Sequence, residues 1–244
     1  MGENPITVSE HLSVSIVIPV LGDIAPLRQL LDRISRLDPA PSEIICVDAG
    51  KDPECAALCA EHRCIRLNTR AGRGHQLHAG AMRASGDIAW FVHTDAEPAE
   101  NAIDVIRAAV ASGAIGGFFR FRFSGQTTWY KSVLAWLINQ RSQVGVPYGD
   151  QGLFMHRTMY IAAGGFADEP LFEEVPLVHA ARGMGQFAPV AATIGVSPRR
   201  WEHDGWLRRT LENRLLAIGY MLGIAPQRLA RRYDRASNAP TSNE

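Results

Sequence analysis

The run Val14–Val20 (VSIVIPV) constrains the fold of this chain more than any other stretch. It is a continuous β-branched strand signal without polar alternation. That is the pattern of a strand covered on both faces, and such strands belong to sheets sandwiched between helices. The chain that follows keeps to this plan. Leu27, Leu30, Leu31, Ile34 and Leu37 recur at helical spacing until Asp38-Pro39 stops them. A second strand at 43–47 runs into Asp48-Ala49-Gly50, a short helix is expected at 53–61, a third strand at 64–67 and a helix at 73–85. Ile88–His93 (IAWFVH) reads as a fourth buried strand, and Ile103, Ile106 and Val110 mark the helix after it. This repetition predicts an α/β fold with a mostly parallel central sheet, flanking helices and right-handed crossovers.

The rhythm changes after residue 113. Gly116–Phe123 (GGFFRFRF) alternates over its second half, with Arg120 and Arg122 opposite Phe119, Phe121 and Phe123. Thr128–Gln140 reads as an amphipathic helix carrying Trp129, Leu134, Trp136, Leu137 and Ile138, and a Gly/Pro-punctuated loop, 144–151, follows. Further on come a strand at 152–156, a turn at Gly164-Gly165 and a helix at 171–182 that begins amid acidic residues. Leu207, Leu211, Leu215, Ile218 and Leu222 define a penultimate helix, and a last one runs from Pro226 to about Tyr233. No internal repeat or linker composition divides the chain, so residues 1–235 are expected as one domain with a flexible tail at 236–244.

Composition excludes several function classes. Over 244 residues, 46% hydrophobic and 20% charged content is ordinary for a globular protein, which argues against a disordered or disulfide-scaffold chain. Its 25 basic and 25 acidic residues cancel, so no global charge recruits nucleic acid. Locally the balance is uneven: between 199 and 235 nine arginines face four acids, a net of +5. Cys46, Cys55, Cys59 and Cys64 lack paired CxxC spacing and read as packing thiols in a reduced, cytoplasmic setting. The N-terminal MGENPITVSEHLS has no signal-peptide pattern, and the longest apolar stretch, 215–226, is shorter than the ~20 residues of a membrane span. Helix 128–140 and the arginine-rich C-terminal helices are candidates for peripheral contact with an anionic inner membrane face. The other reading makes helix 128–140 a lid over an acceptor site and leaves the arginines solvated.

In an open parallel sheet, ligands bind at the carboxyl ends of the strands. Asp23, Asp48 and Asp95 follow strands one, two and four. His93 and Asp95, two apart, can project to one side beside Thr94 and Glu97, where a carboxylate suits Mg²⁺ or Mn²⁺ completed by water and phosphate oxygens. An aspartate in that position also serves as a helix cap. Arg70, Arg73 and Gly74 (RAGRGHQ) form a basic turn before a helix, suited to a diphosphate or simply exposed. The turn matches neither GxGxxG nor a P-loop. Glu173 and Glu174 are either a solvated helix start or a catalytic pair. Arg199, Arg200, Trp201 and His203 are either a surface patch or a phosphate cover with an added nitrogen ligand.

The order of these pieces carries a resemblance. SIVIPV (15–20), VDAG (47–50), GRGHQLHAGAMRASGDIAWFVHTDAEP (72–98), YGDQGLFMHR (148–157), GGF (164–166), LFEEVPLV (171–178) and RRWEHDG (199–205) together resemble family 2 glycosyltransferases of the GT-A fold. More narrowly they are similar to the compact arsenosugar-biosynthesis-type members, over residues 14 to about 235. The resemblance implies a nucleotide-binding half at about 14–113, an acceptor half at about 114–205 and C-terminal helices at about 206–235. Asp48 would contact the base or ribose, Arg73 and Gln76 the diphosphate or sugar, and Asp150 and Gln151 the donor sugar or acceptor. Arg200 and Trp201 would cover the donor. Asp95 would be the metal-binding acid, with His93 where relatives carry a first Asp and His203 as a further ligand. Glu174 is the first choice for general base and Glu173 the second.

The implied reaction is an inverting transfer from a nucleotide-diphosphate sugar, UDP-linked in first place, to an acceptor hydroxyl left open, assisted by Mg²⁺ or Mn²⁺. Departures from the family pattern fall at Ala49 and Lys51, at His93, at Glu174 for Asp, and at Pro176, expected to kink its helix. Two other readings use the same residues. One is a nucleotide-sugar-binding module without chemistry. The other is a nucleotidyltransferase, which is disfavoured because Leu21-Gly22-Asp23 lacks the basic residue such a loop carries.

Overall fold

The computed structural model describes residues 12–237, so the N-terminal segment and nearly all of the tail at 236–244 lie outside the described residues. Its strands are β1 (Val14–Val20), β2 (Glu43–Asp48), β3 (Ile65–Asn68), β4 (Ile88–Phe91), β5 (Ala96–Pro98), β6 (Gly116–Phe123), β7 (Phe154–His156) and β8 (Phe187–Val196). Helices in the first half are α1 (Ile24–Ile34), α2 (Pro53–Glu61), α3 (Arg73–Arg83) and α4 (Ala102–Ala111). The second half has α5 (Trp129–Val144), α6 (Arg157–Ala162), α7 (Val175–Met184), α8 (Arg199–Asp204), α9 (Trp206–Met221) and α10 (Pro226–Ser237). No described helix is long and apolar enough to cross a membrane.

One sheet holds all eight strands in the order β3-β2-β1-β4-β7-β6-β8-β5. β3, β2, β1 and β4 are mutually parallel, as the strand-helix alternation predicts. β7 then enters antiparallel between β4 and β6, and β5 antiparallel against β8, while β6 and β8 run parallel. The chain leaves β1 toward β2 on one side and returns to β4 on the other. That reversal opens a crevice at the carboxyl ends of β1 and β4.

Each face of the sheet has its own core. Ile16, Ile18, Leu27, Leu30, Trp90, Ile103 and Phe119 pack on one face, and Val17, Val47, Leu77, Phe91, Phe118 and Tyr160 on the other. Burial on both faces is why VSIVIPV shows no alternation. Helix α3 is pressed hard against the sheet: a Cβ on Gly80 would stand 2.3 Å from Val17 Cγ1 and 2.9 Å from Val47 Cγ2. Gly80→Ala is therefore expected to cost about 1–3 kcal/mol. A denaturant midpoint lowered at constant m would show it.

Several expectations are corrected. The fourth strand ends at Phe91 rather than His93, which frees 92–95 to turn into the crevice. The acids at 173–174 precede α7 instead of lying within it: Glu174 is its N-cap, and Pro176 sits in the first turn, where its missing N–H costs nothing, so no kink follows. Alternation in β6 holds for Phe119, Phe121 and Phe123, yet Phe118 is buried too, on the opposite face against Phe187, ahead of a register shift. Helix α5 extends to Val144 and is amphipathic only weakly. Leu134 and Ile138 pack inward with Phe121 and Phe123, whereas Trp129, Val133 and Trp136 face water. The leucines that define α9 likewise point outward, and the helix is anchored through Arg209, Leu216 and Gly219. The four cysteines are free thiols, with Cys46 buried on β2 and Cys55 and Cys59 buried on α2.

Candidate active site

A cleft of about 310 Å³ opens at the carboxyl ends of β1 and β4, lined by Asp23, Gly72, Arg73, Gln76, His93, Asp95, Arg199 and Arg200 among others. Gly72 caps α3 at φ +137°, a conformation open to glycine, and so aims the helix N-terminus into the cleft. The segment 167–174 is clipped onto this turn. Arg70 pairs with Asp168, and the Arg73 guanidinium grips both oxygens of Glu173. Gly74 permits the approach, since a Cβ there would meet the Ala167 carbonyl at 2.1 Å and Glu173 Cβ at 2.8 Å. Phe172, just before the acids, holds φ +63°, an uncommon conformation for a bulky side chain and one found at constrained functional turns.

The electrostatics join these residues. Glu174 is buried with Oε2 unpartnered, and burial, together with repulsion from Glu173 and Asp150, pushes its carboxyl up to about 8 against the opposing pull of Arg73. Asp150, in a short 3-10 turn at Gly149–Gln151, is raised by burial and by Asp95, with Arg141 and Arg73 opposing. Burial raises Asp95 while Arg200 holds it down. His93 is forced to about 3 by burial and by Arg73 and Arg200, so its imidazole is neutral, and its buried Nε2 has no partner. The links run pairwise: Asp95 acts on Asp150, Asp150 and Glu173 on Glu174, Arg73 on Asp150, Glu174 and His93, and Arg200 on Asp95 and His93.

Other expected site residues stand apart. Asp48 is sealed at the end of β2, with Oδ1 accepting from the Gly50 and Lys51 amides at 2.8 and 3.0 Å and Oδ2 from Arg66 at 2.6 and 3.1 Å. It does not line the cleft; it shapes the loop beside it. The Gln76 amide reaches the cleft wall but donates to the Val20 and Val47 carbonyls, pinning β1 to β2. Gln151 is fully buried, accepts from the Ser142 hydroxyl and donates to the Phe119 carbonyl, so its amide is engaged within the fold. Trp201 stacks with Trp206 and edges onto Phe123, because α8 turns it away from the face that presents Arg199 and Arg200. His203 is exposed and bonded to Asp204 at 2.8 Å, away from His93 and Asp95.

Tyr233 was not legible as a site residue. From α10 its hydroxyl meets Arg200 at 2.5 Å and Arg209 at 2.6 Å. Only the arginine excess around it hinted at such a role. Tyr233→Phe is expected to raise the KM for a phosphate-bearing ligand about fivefold while leaving kcat nearly unchanged, since Arg200 loses an anchor and no reacting group. Steady-state kinetics on the variant would check this.

Known proteins share the fold and part of the sequence of this chain. The sequence profile described as Glycosyl transferase family 2 matches residues 15–166. Glucosyl-3-phosphoglycerate synthases of Mycobacterium tuberculosis and Mycobacterium bovis are 30% identical over 93 residues, a match covering 34% of this chain and 29% of theirs. Among solved structures, the M. tuberculosis enzyme with Mn²⁺, UDP and phosphoglyceric acid superposes with a TM-score of 0.61 at 19% identity, covering 90% of this chain and 82% of that one. A mannosyltransferase from Pyrobaculum calidifontis with GDP-Man and Mn²⁺ gives 0.60 at 18% identity, covering 93% and 70%. The fold is that of the GT-A glycosyltransferases, and the chain belongs to glycosyl transferase family 2.

Proposed function

We propose that this glycosyltransferase moves a sugar from a nucleotide-diphosphate donor, a UDP-sugar in first place, to an acceptor hydroxyl with inversion at the anomeric carbon. The observation that supports it is the cleft at the carboxyl ends of β1 and β4, where His93 and Asp95 share the lining with Arg73, Arg199 and Arg200, while Asp150 and Glu174 lie outside that lining within reach of the Arg73 charge. UDP and GDP-Man, each with Mn²⁺, in structural relatives support a nucleotide-sugar donor.

In this reading residues 14–113 hold the nucleotide and 114–205 the acceptor. The N-terminus of α3 with Arg199 and Arg200 receives the diphosphate. Asp48 acts at one remove, by holding the 50–51 loop and Arg66 where the base would lie. Asp150 faces the donor sugar. Glu174 takes the acceptor proton, which leaves its oxygen free to attack. Glu173, neutralised by Arg73, positions the turn and is the weaker candidate for base.

Mg²⁺ or Mn²⁺ fits here: Asp95 and His93 would hold it, His93 offering an unpartnered neutral nitrogen. Among the described residues no group of three or more His, Cys, Asp or Glu could hold an ion, so water and phosphate oxygens would complete the shell. The cation would offset charge on the departing diphosphate.

The test incubates the chain with UDP-, GDP- and dTDP-sugars and either metal, and measures nucleotide release. Release from at least one donor is expected. Calorimetric nucleotide binding with no release from any donor would instead establish the binding-module reading.

A further inference from the structure

We propose that the outer face of α9, with the start of α5, docks this chain onto an anionic bilayer surface. The stripe Leu207, Leu211, Leu215, Ile218, Met221 and Leu222 runs the length of α9 and faces water, with Leu207 at 89%, Leu211 at 60% and Met221 at 75% exposure. A globular chain buries such a stripe against its own core. Here the core contact is made by the opposite side of the helix, where Leu216 packs with Phe172 and Leu229. The first turn of α5 meets the first turn of α9 through Tyr130 and Trp206, ring centroids 5.0 Å apart, and α5 adds Trp129 and Trp136, exposed at 78% and 59%. An apolar stripe of this length left uncovered by the chain's own core marks an interaction site.

The charge around the stripe selects the occupant. Arg208 and Arg214 flank the leucines on α9, and the adjoining α10 exposes Arg228, Arg231 and Arg232. Glu212 pairs with Arg208 at 3.0 Å, so those two charges offset each other and the net positive charge comes from Arg214 and the α10 arginines. An apolar stripe framed by arginines with tryptophans at its margin complements anionic headgroups over acyl chains. A second copy fits less well, because a two-fold contact brings the same patch, arginines included, onto itself. Docking would also set the cleft close to the bilayer, since the inner side of α9 covers the turn carrying Glu173 and Glu174. The inference does not depend on the proposed transfer chemistry.

Vesicle co-sedimentation tests it, using phosphatidylglycerol mixed with phosphatidylcholine against pure phosphatidylcholine. The full chain is expected to pellet with the anionic vesicles, less so as salt rises, and only weakly with the neutral ones. Leu211→Glu/Leu215→Glu should lower the partition coefficient about a hundredfold or more, and Arg214→Gln about fivefold. Both variants alter side chains already in water, so unchanged thermal melts confirm their fold. Equal binding to neutral and anionic vesicles would overturn the proposal, as would no binding to either or full binding by the double glutamate variant. A dimer in sedimentation equilibrium that Leu211→Glu/Leu215→Glu dissociates would also overturn it, assigning the face to a second copy.

Discussion

Glu174→Gln is expected to lower kcat by about 10²–10⁴-fold, the usual contribution of a positioned base, without lowering thermal stability at alkaline pH. The two effects share a cause. Burial raises the Glu174 carboxyl from 4.5 to about 8 in the folded chain. Below pH 4.5 folded and unfolded states are both protonated and the group is neutral in its effect. Between 4.5 and about 8 the folded state holds the extra proton, so stability falls as pH rises and levels off above 8. Glutamine removes that slope. The variant should therefore be more stable than the parent at pH 9 and nearly equal to it at pH 4. In the parent, kcat should climb with pH until Glu174 ionises, near 8. Thermal melts across pH and a pH–rate profile check both halves. Should Asp150→Asn lose the activity while Glu174→Gln keeps it, the half-buried Asp150 between Asp95 and Glu174 is the base instead.

Arg73→Met should be the most destabilising substitution at the site. Glu173 has almost no contact with water, and Arg73 is its ion-pair partner. Removing the guanidinium strands a buried carboxylate, and because the Arg73 end of the pair is 39% exposed, so that water can reach the vacated place, the expected cost is about 2–3 kcal/mol, below that of a fully buried pair. Arg73→Met/Glu173→Leu removes both charges and is expected to recover most of that loss. Activity should not return with stability, because Arg73 also lines the cleft and acts on His93 and Asp150. Urea midpoints for the three variants, read beside their turnover, separate the fold role of Arg73 from its role toward ligand.

The first half of the fold was legible because its local signals agree with its tertiary setting. Doubly covered strands are uniformly apolar, and α2 and β6 fall at the residues their patterns predict. β8 was missed: FAPVAATIGV carries a proline and small residues, its burial does not alternate, and pairing with β6 and β5 rather than propensity makes it a strand. The periodicity of α9 was read correctly as a helix, but periodicity cannot say whether the stripe meets a core or water. Strand-end acids pointed to the cleft. What separates Asp95 from Asp48 is whether the protein itself occupies the carboxylate, and Arg66, 18 residues on from Asp48, decides that only in three dimensions. Gln151 and Trp201 are likewise engaged by the fold itself, while Tyr233 arrives from a distant helix with no local motif. The arsenosugar-type likeness rests on motif order, and the glucosyl- and mannosyltransferase relatives do not bear on it.

The crevice at the ends of β1 and β4 is expected to receive a nucleoside diphosphate beside Asp95. Calorimetric titration of UDP with Mn²⁺, on the parent chain and on Asp95→Asn, measures this. The expected result is saturable binding to the parent, weakened about tenfold or more by chelating the metal or by the substitution. Equal affinity in all three conditions would contradict it.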